Sequence, residues 1–239
     1  MSEQHVRFEI GDGVAEIRVD DGKRNALAPL LIDQLLRAVD AAEAEGAAIL
    51  IAGRPGTFCA GFDLKVIRQG PERTREMTSR GAELWMRLLT SPRPVVMACT
   101  GHAMAAGAVL LCTADWRVAA SGDFKIGLSE TEIGLPLQGV PLELVRARLS
   151  KRHFERATLL AHVYPPDMAV DAGWVDEVTA PDDVLDAARA AAQRLGALPE
   201  GAFAATKRQS RRVLAETIDK MMKSGSRKKE KDVFDAVRG

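Results

Sequence analysis

Cysteine is scarce in this sequence. Cys59, Cys99 and Cys112 are the three among 239 residues, and no two of them stand in a CxxC pair. An odd, sparse count argues against a disulfide framework. Small or apolar neighbours around each one read as buried free thiols. Cys59 has no histidine or other base evidently paired with it, which argues against a nucleophile. The four histidines, His5, His102, His153 and His162, show no ligand spacing, so no metal site is expected. Net charge is missing too: Lys plus Arg and Asp plus Glu both number 33, for a formal net charge of +0. No global field therefore draws the chain to nucleic acid or to an anionic membrane. No apolar run approaches the roughly 20 residues that span a bilayer. The first residues, Met1-Ser2-Glu3-Gln4-His5, hold neither an apolar signal core nor an Arg-rich presequence, which points to the cytoplasm.

What remains, 46% hydrophobic and 28% charged residues, suits one soluble globular domain with an appended subdomain. Val6-Arg7-Phe8-Glu9-Ile10 and Val14-Ala15-Glu16-Ile17-Arg18-Val19 alternate around Gly11-Asp12-Gly13, a hairpin pattern. Pro29 opens a helix through Glu45, with Leu31, Leu35, Val39 and Ala42 at helical spacing. Ala48–Ala52 and Val95–Cys99 read as buried strands, and Pro71 to Leu89 as a helix between them. The recurrence predicts an α/β fold of parallel strands with helices outside. After residue 180 the strands stop. Asp182 to Gly196 and Ala202 to Met222 read as helices, which divides the chain into a core, 1–180, and a C-terminal helical region, 181–239. The charged stretch from Ser224 to Asp232 reads as a solvated linker before a short final helix.

Two strand-to-helix turns carry the chemistry. Ala48–Ala52 runs into Gly53-Arg54-Pro55-Gly56-Thr57-Phe58-Cys59-Ala60-Gly61-Phe62-Asp63-Leu64. Val95–Cys99 runs into Thr100-Gly101-His102-Ala103-Met104-Ala105-Ala106-Gly107-Ala108. Small residues let other atoms approach the main chain. The first N–H groups of a helix have no partner within it and can donate to a charged oxygen. Two such turns facing each other can hold one oxyanion between two donors. The alternative is a tight backbone crossing with no ligand.

Five segments, in order, resemble the crotonase superfamily of enoyl-CoA hydratases and isomerases: Lys23-Arg24-Asn25-Ala26-Leu27, Ala60-Gly61-Phe62-Asp63-Leu64, Thr100 to Gly107, Ser129 to Gly134, and Ala169 to Val178. The resemblance spans about residues 5 to 215. It implies a crotonase-like spiral of strand-strand-helix repeats and a C-terminal helical oligomerisation region that forms homotrimers or dimers of trimers. It implies an acyl-CoA substrate, with coenzyme A entering as part of the substrate and no separate cofactor.

The resemblance also implies roles. Oxyanion donors fall on the N–H groups of Phe62 and Ala106. Of the two glutamates a hydratase of this family uses, one falls at Glu130, whereas the other position holds Val109. Isomerases of the 3,2-enoyl-CoA type also lack the first and keep the second. One carboxylate suffices to move a proton along an allyl system, whereas adding water usually needs a second group. Apolar Leu128 and Ile133 beside Glu130 suggest a raised pKa. If the segment is extended, Glu132 faces the same way as Glu130. Lys23 and Arg24 are phosphate contacts for CoA or simply a solvated turn. The Ala60 to Leu64 loop, with Asp63 and Leu64 near the adenine, is the expected CoA-binding segment, and Lys207 reaches a CoA phosphate from its own or a neighbouring subunit. Asp115 reads as structural. The expected activity is shifting a 3-enoyl-CoA double bond to the 2-position. The alternatives are a 2-enoyl-CoA hydratase and a non-catalytic, trimeric acyl-CoA-binding scaffold.

Overall fold

A computed structural model describes residues 4–225. Strands β1 (Val6–Gly11) and β2 (Val14–Val19) form the expected antiparallel hairpin. Asp12 (φ 49°) and Gly13 (φ 73°) supply the two left-handed residues that so tight a turn needs. Helix α1 (Pro29–Ala44) starts on its proline and buries Leu31, Leu35, Val39 and Ala42 along one stripe, as their spacing requires.

Three similar turns follow. The first is β3 (Ala48–Ala52), β4 (Gly56–Cys59), α2 (Leu64–Ile67) and α3 (Pro71–Thr90). Next come β5 (Val95–Cys99), β6 (Gly101–Met104) and α4 (Ala106–Leu111). The third is β7 (Trp116–Ala120), β8 (Ile126–Gly127) and α5 (Val140–Arg148), extended by α6 (Lys151–Thr158) and α7 (Pro166–Ala172). Each turn places its first strand in one sheet and its second strand in another. The larger sheet has the order β1-β2-β3-β5-β7-β9, where β9 is Glu177–Thr179, and it is parallel throughout except for the β1–β2 pair. The smaller sheet, β4-β6-β8, is wholly parallel. The result is a spiral of strand-strand-helix repeats.

Burial on both faces explains why β3 and β5 are unbroken apolar runs. Ile49, Ile51, Val95, Met97 and Cys99 face the main core with α1 and α3. Leu50, Val96, Ala98 and Val118 face the other way. That second face is covered by α8 (Val184–Gly196) through Val184, Ala188, Ala191 and Ala192. Helix α8 thus packs on the sheet although it lies after residue 180. Helix α9 (Glu200–Gly225) packs across α3 and α5. The proposed final helix lies outside the described residues.

The segment Ala169 to Val178 serves architecture. Gly173 closes α7 in a left-handed conformation (φ 94°). Asp176 then grips buried Arg117 of β7, accepting from its backbone N at 2.9 Å, Nε at 2.8 Å and Nη2 at 2.8 Å. That fork ties β9 onto the sheet edge.

Candidate active site

The loop after β4 is held from behind by the turn before α1. Leu27 N donates to Gly61 O at 2.8 Å and Asp63 N to Leu27 O at 3.3 Å, a short parallel bridge around Phe62. Ala60 N donates to Arg24 O at 3.1 Å. Buried Asn25 staples the same region: its Nδ2 reaches Val19 O (3.0 Å), Phe58 O (3.2 Å) and Thr57 O (3.3 Å), and its Oδ1 accepts from Asp21 N (3.0 Å). All of its hydrogen-bonding groups are used, as burial of an amide requires. Sequence reading placed Asn25 in a motif without giving it this role. Its burial and left-handed backbone (φ 51°) emerge only from the fold.

These bonds leave the Phe62 N–H without a hydrogen-bond partner among the described residues. The Phe62 ring turns away toward α3, 5.6 Å from the Trp85 ring, into space open only because residue 81 is glycine. A Cβ at Gly81 would stand 2.6 Å from the Phe62 ring.

The second turn meets the first there. Gly61 has φ 97°, and a Cβ on it would lie 2.9 Å from Ala105 Cβ, 3.3 Å from Met104 O and 3.4 Å from Ala106 N. Ala106 opens α4, and the first bond along that helix is Val109 N to Ala105 O at 3.1 Å. The Ala106 N–H therefore precedes the helical ladder. Gly107 admits the crossing from the other side: a Cβ there would be 2.2 Å from Cys59 O. The Cys59 thiol itself is pushed up to about 12 by burial, which makes it a poor nucleophile.

The carboxylate segment leaves the edge of the same small sheet. Ala103 pairs with Ile126, Met104 pairs with Gly127, and Ala105 N donates to Gly127 O at 2.9 Å. Glu130 follows three residues later. It is partly buried, and its Oε2 is buried with no hydrogen-bond partner among the described residues. Burial raises its pKa above the ordinary 4.5, and the neighbouring Glu130 and Ser129 backbone N–H groups pull it back only in part.

The segment is not extended. Ile133 N donates to Ser129 O at 3.2 Å and Leu135 N to Glu130 O at 2.8 Å, so it coils into a tight turn. Glu130 and Glu132 consequently lie in different surroundings. Glu132 is exposed and lines an open groove of about 610 Å³ with Ser129, Thr131 and Leu159 to Val163, a groove that Glu130 does not line. Leu128 is buried as expected, but Ile133 is 63% exposed. The coiled turn, with glycine at 134 in a left-handed conformation (φ 78°), leaves Ile133 on its outer side. Val109, where the resemblance puts a hydratase's second glutamate, is 1% exposed.

Lys23 and Arg24 are exposed beside this crossing, with main-chain ties from Arg54 Nη1 to Lys23 O (3.0 Å) and from Ala60 N to Arg24 O. Ala60 is partly buried and Leu64 is 60% exposed. Asp63 caps α2, accepting from Lys65 N at 2.7 Å.

Lys207 departs from expectation. It lies apart from these loops, 6% exposed, with its ammonium 2.6 Å from Asp115 Oδ2 and 3.1 Å from Arg93 O. Burial pushes it down to about 8. An ammonium held inward on a carboxylate and a carbonyl is unsuited to gripping a phosphate, and its part here is to anchor α9. Asp115 is structural, as expected.

Among the described residues no group of three or more His, Cys, Asp and Glu side chains is placed to hold a metal ion, and no helix is long and apolar enough to cross a membrane.

Comparison with known proteins gives a consistent picture. The family model described as "Enoyl-CoA hydratase/isomerase" matches residues 9–236. Human mitochondrial enoyl-CoA delta isomerase 1 is 29% identical over 218 residues, covering 89% of this chain and 72% of that one. A protein of Mycobacterium avium described as a probable enoyl-CoA hydratase is 32% identical, covering 82% and 77%. The solved apo structure of an enoyl-CoA isomerase from "Mtb" superposes with a TM-score of 0.89 at 37% identity, covering 95% and 99%.

Proposed function

The chain belongs to the enoyl-CoA hydratase/isomerase family, and from that premise we propose that it shifts the double bond of a 3-enoyl-CoA to the 2-position with one carboxylate. The observation that carries this reading is the buried Glu130 Oε2, without a hydrogen-bond partner among the described residues, taken together with Val109, which is apolar and closed to solvent.

In this reading the thioester oxygen lies between the Phe62 and Ala106 N–H groups. Glu130 takes a proton from C2; the released pair forms a C1–C2 double bond and the carbonyl pair moves onto that oxygen, giving a dienolate conjugated with the C3–C4 double bond. Protonation at C4 by the same carboxyl group then gives the 2-enoyl product. Atoms and charge balance with no redox step, and no metal or separate cofactor is invoked. The two donors favour the enolate over the ground state because charge develops on the oxygen only as the proton leaves. A raised Glu130 pKa brings the acid and base forms closer in energy, which suits a group that must both accept and return a proton. In this reading the exposed Lys23 and Arg24 meet CoA phosphates, and Ala60, Asp63 and Leu64 run along the nucleotide.

Hydration would need a second group to orient water, and Val109 cannot transfer a proton. Incubation with 3-enoyl-CoA and, separately, 2-enoyl-CoA, with both products identified, tests the proposal. Rapid conversion of the first to 2-enoyl-CoA with little 3-hydroxyacyl-CoA from the second supports it. Fast hydration overturns it.

A further inference from the structure

Beyond the site itself, the C-terminal end of α4 is gripped by a pair of partly buried arginines, Arg148 and Arg211, that nothing in the reaction uses. After Leu111 the helix tightens through three successive bonds, Cys112 N to Val109 O (3.0 Å), Thr113 N to Leu110 O (3.1 Å) and Ala114 N to Leu111 O (3.2 Å). The next three carbonyls have no turn left to accept from. Guanidinium groups take all three. Arg148 Nε donates to Cys112 O at 3.1 Å and its Nη2 to Ala114 O. Arg211 reaches Thr113 O at 3.2 Å and Ala114 O at 3.3 Å, and also Asp115 Oδ1 at 2.7 Å and Leu89 O at 2.9 Å.

Charge shows that this grip is more than ion pairing. Arg148 makes no ion pair among the described residues, and burial, followed by the charges of Arg117 and Arg211, pushes its pKa down to about 10. Its compensation is the negative end of the α4 dipole. The other end of the same six-residue helix is Ala106, whose nitrogen lies close against Gly61 of the Phe62 loop. So short a helix transmits axial displacement directly from one end to the other.

We propose that Arg148 and Arg211 are positioning residues for the oxyanion site: by holding the C-terminal carbonyls of α4 they set the axial position of the helix, and hence the aim of the Ala106 N–H. This rests on the oxyanion reading given above. It makes α9, which supplies Arg211, part of the catalytic machinery from a distance. A donor displaced by a fraction of an ångström loses hydrogen-bond alignment, and misplacement near 1 Å can cost about 100-fold in rate.

The test uses Arg148→Met, Arg211→Met and the two Arg→Lys variants in the full chain, each checked for folding by circular dichroism. Turnover is measured alongside the absorption of a bound, conjugated aryl-acyl-CoA, whose band moves to longer wavelength as its carbonyl oxygen accepts hydrogen bonds. Expected is a fall in kcat of about 10- to 100-fold with KM changed little, a reduced spectral shift at saturating probe, and partial recovery in the Lys variants, which keep the charge but not the fork. Should a Met variant not fold, the Lys variants decide: they should still show reduced kcat and a reduced shift. Folded variants with unchanged kcat and a full spectral shift would overturn the proposal. No shift in the unsubstituted protein would overturn the oxyanion reading itself, and this inference with it.

Discussion

Gly61 and Ala106 approach so closely that a Cβ on the glycine would lie 3.4 Å from the Ala106 nitrogen. Two loops separated by some 45 residues thus present adjacent main-chain donors, and the account of this chain as an acyl-CoA enzyme depends on that contact.

Gly61→Ala should therefore damage the site more than the fold. The new methyl would stand 2.9 Å from Ala105 Cβ, and φ 97° is unfavourable for alanine by about 1–2 kcal/mol. We expect turnover to fall by at least about tenfold, because a loop shift of a few tenths of an ångström misaligns the donor. Kinetics on a variant with native circular dichroism check this, and unchanged turnover would show that the two loops need not touch.

Ala105→Gly should do the reverse. Ala105 sits at φ 52° and ψ −127°, a conformation glycine adopts freely and alanine does not. Relief of that strain outweighs the added freedom of the unfolded chain, and a gain of about 1 kcal/mol is expected. Thermal or denaturant unfolding measures it. A loss of stability would mean that the strain is absent.

Much of this was legible in the sequence. The hairpin, α1, α3 and the buried strands β3 and β5 follow from alternation, spacing and proline positions. The small sheet was not. Gly101–Met104 reads as part of a turn because its residues are small, yet it pairs with β4, and pairing between distant segments leaves no local periodicity. The sequence of the Glu130 segment permits an extended strand, whereas hydrogen bonds to the Ser129 and Glu130 carbonyls coil it. Lys207 looks like a free cation on a late helix, and only the tertiary fold reveals Asp115 beneath it. Likewise Arg148 and Arg211 have no sequence signature, since they act on backbone carbonyls.

Val109→Glu should raise hydration relative to isomerisation, because it restores a carboxylate three residues after the second donor. The buried position makes this costly in stability, by several kcal/mol for an unpaired charge. The product ratio from 2-enoyl-CoA and 3-enoyl-CoA is the readout. An unchanged ratio in a folded variant would separate reaction choice from this position.

The pH dependence of stability should carry the mark of Glu130. Its folded pKa lies above the ordinary 4.5, so the folded state holds the proton more tightly than the unfolded chain. Glu130 therefore opposes folding least below about pH 4.5, and its penalty grows as pH rises through the folded pKa. Glu130→Gln should be more stable than the parent at pH 7, with the difference fading in acid. Urea unfolding across that range tests the sign, and a variant less stable at pH 7 would mean that Glu130 is stabilised by a partner.

The most direct test of the mechanism is exchange of C2 hydrogens on a bound acyl-CoA, followed by NMR in deuterated water. Glutamine keeps the shape of glutamate but cannot accept and return a proton at neutral pH. Glu130→Gln should abolish exchange while acyl-CoA affinity stays nearly intact, and Glu132→Gln should exchange at the parent rate. Exchange at the parent rate in Glu130→Gln would contradict the account and remove Glu130 from the chemistry.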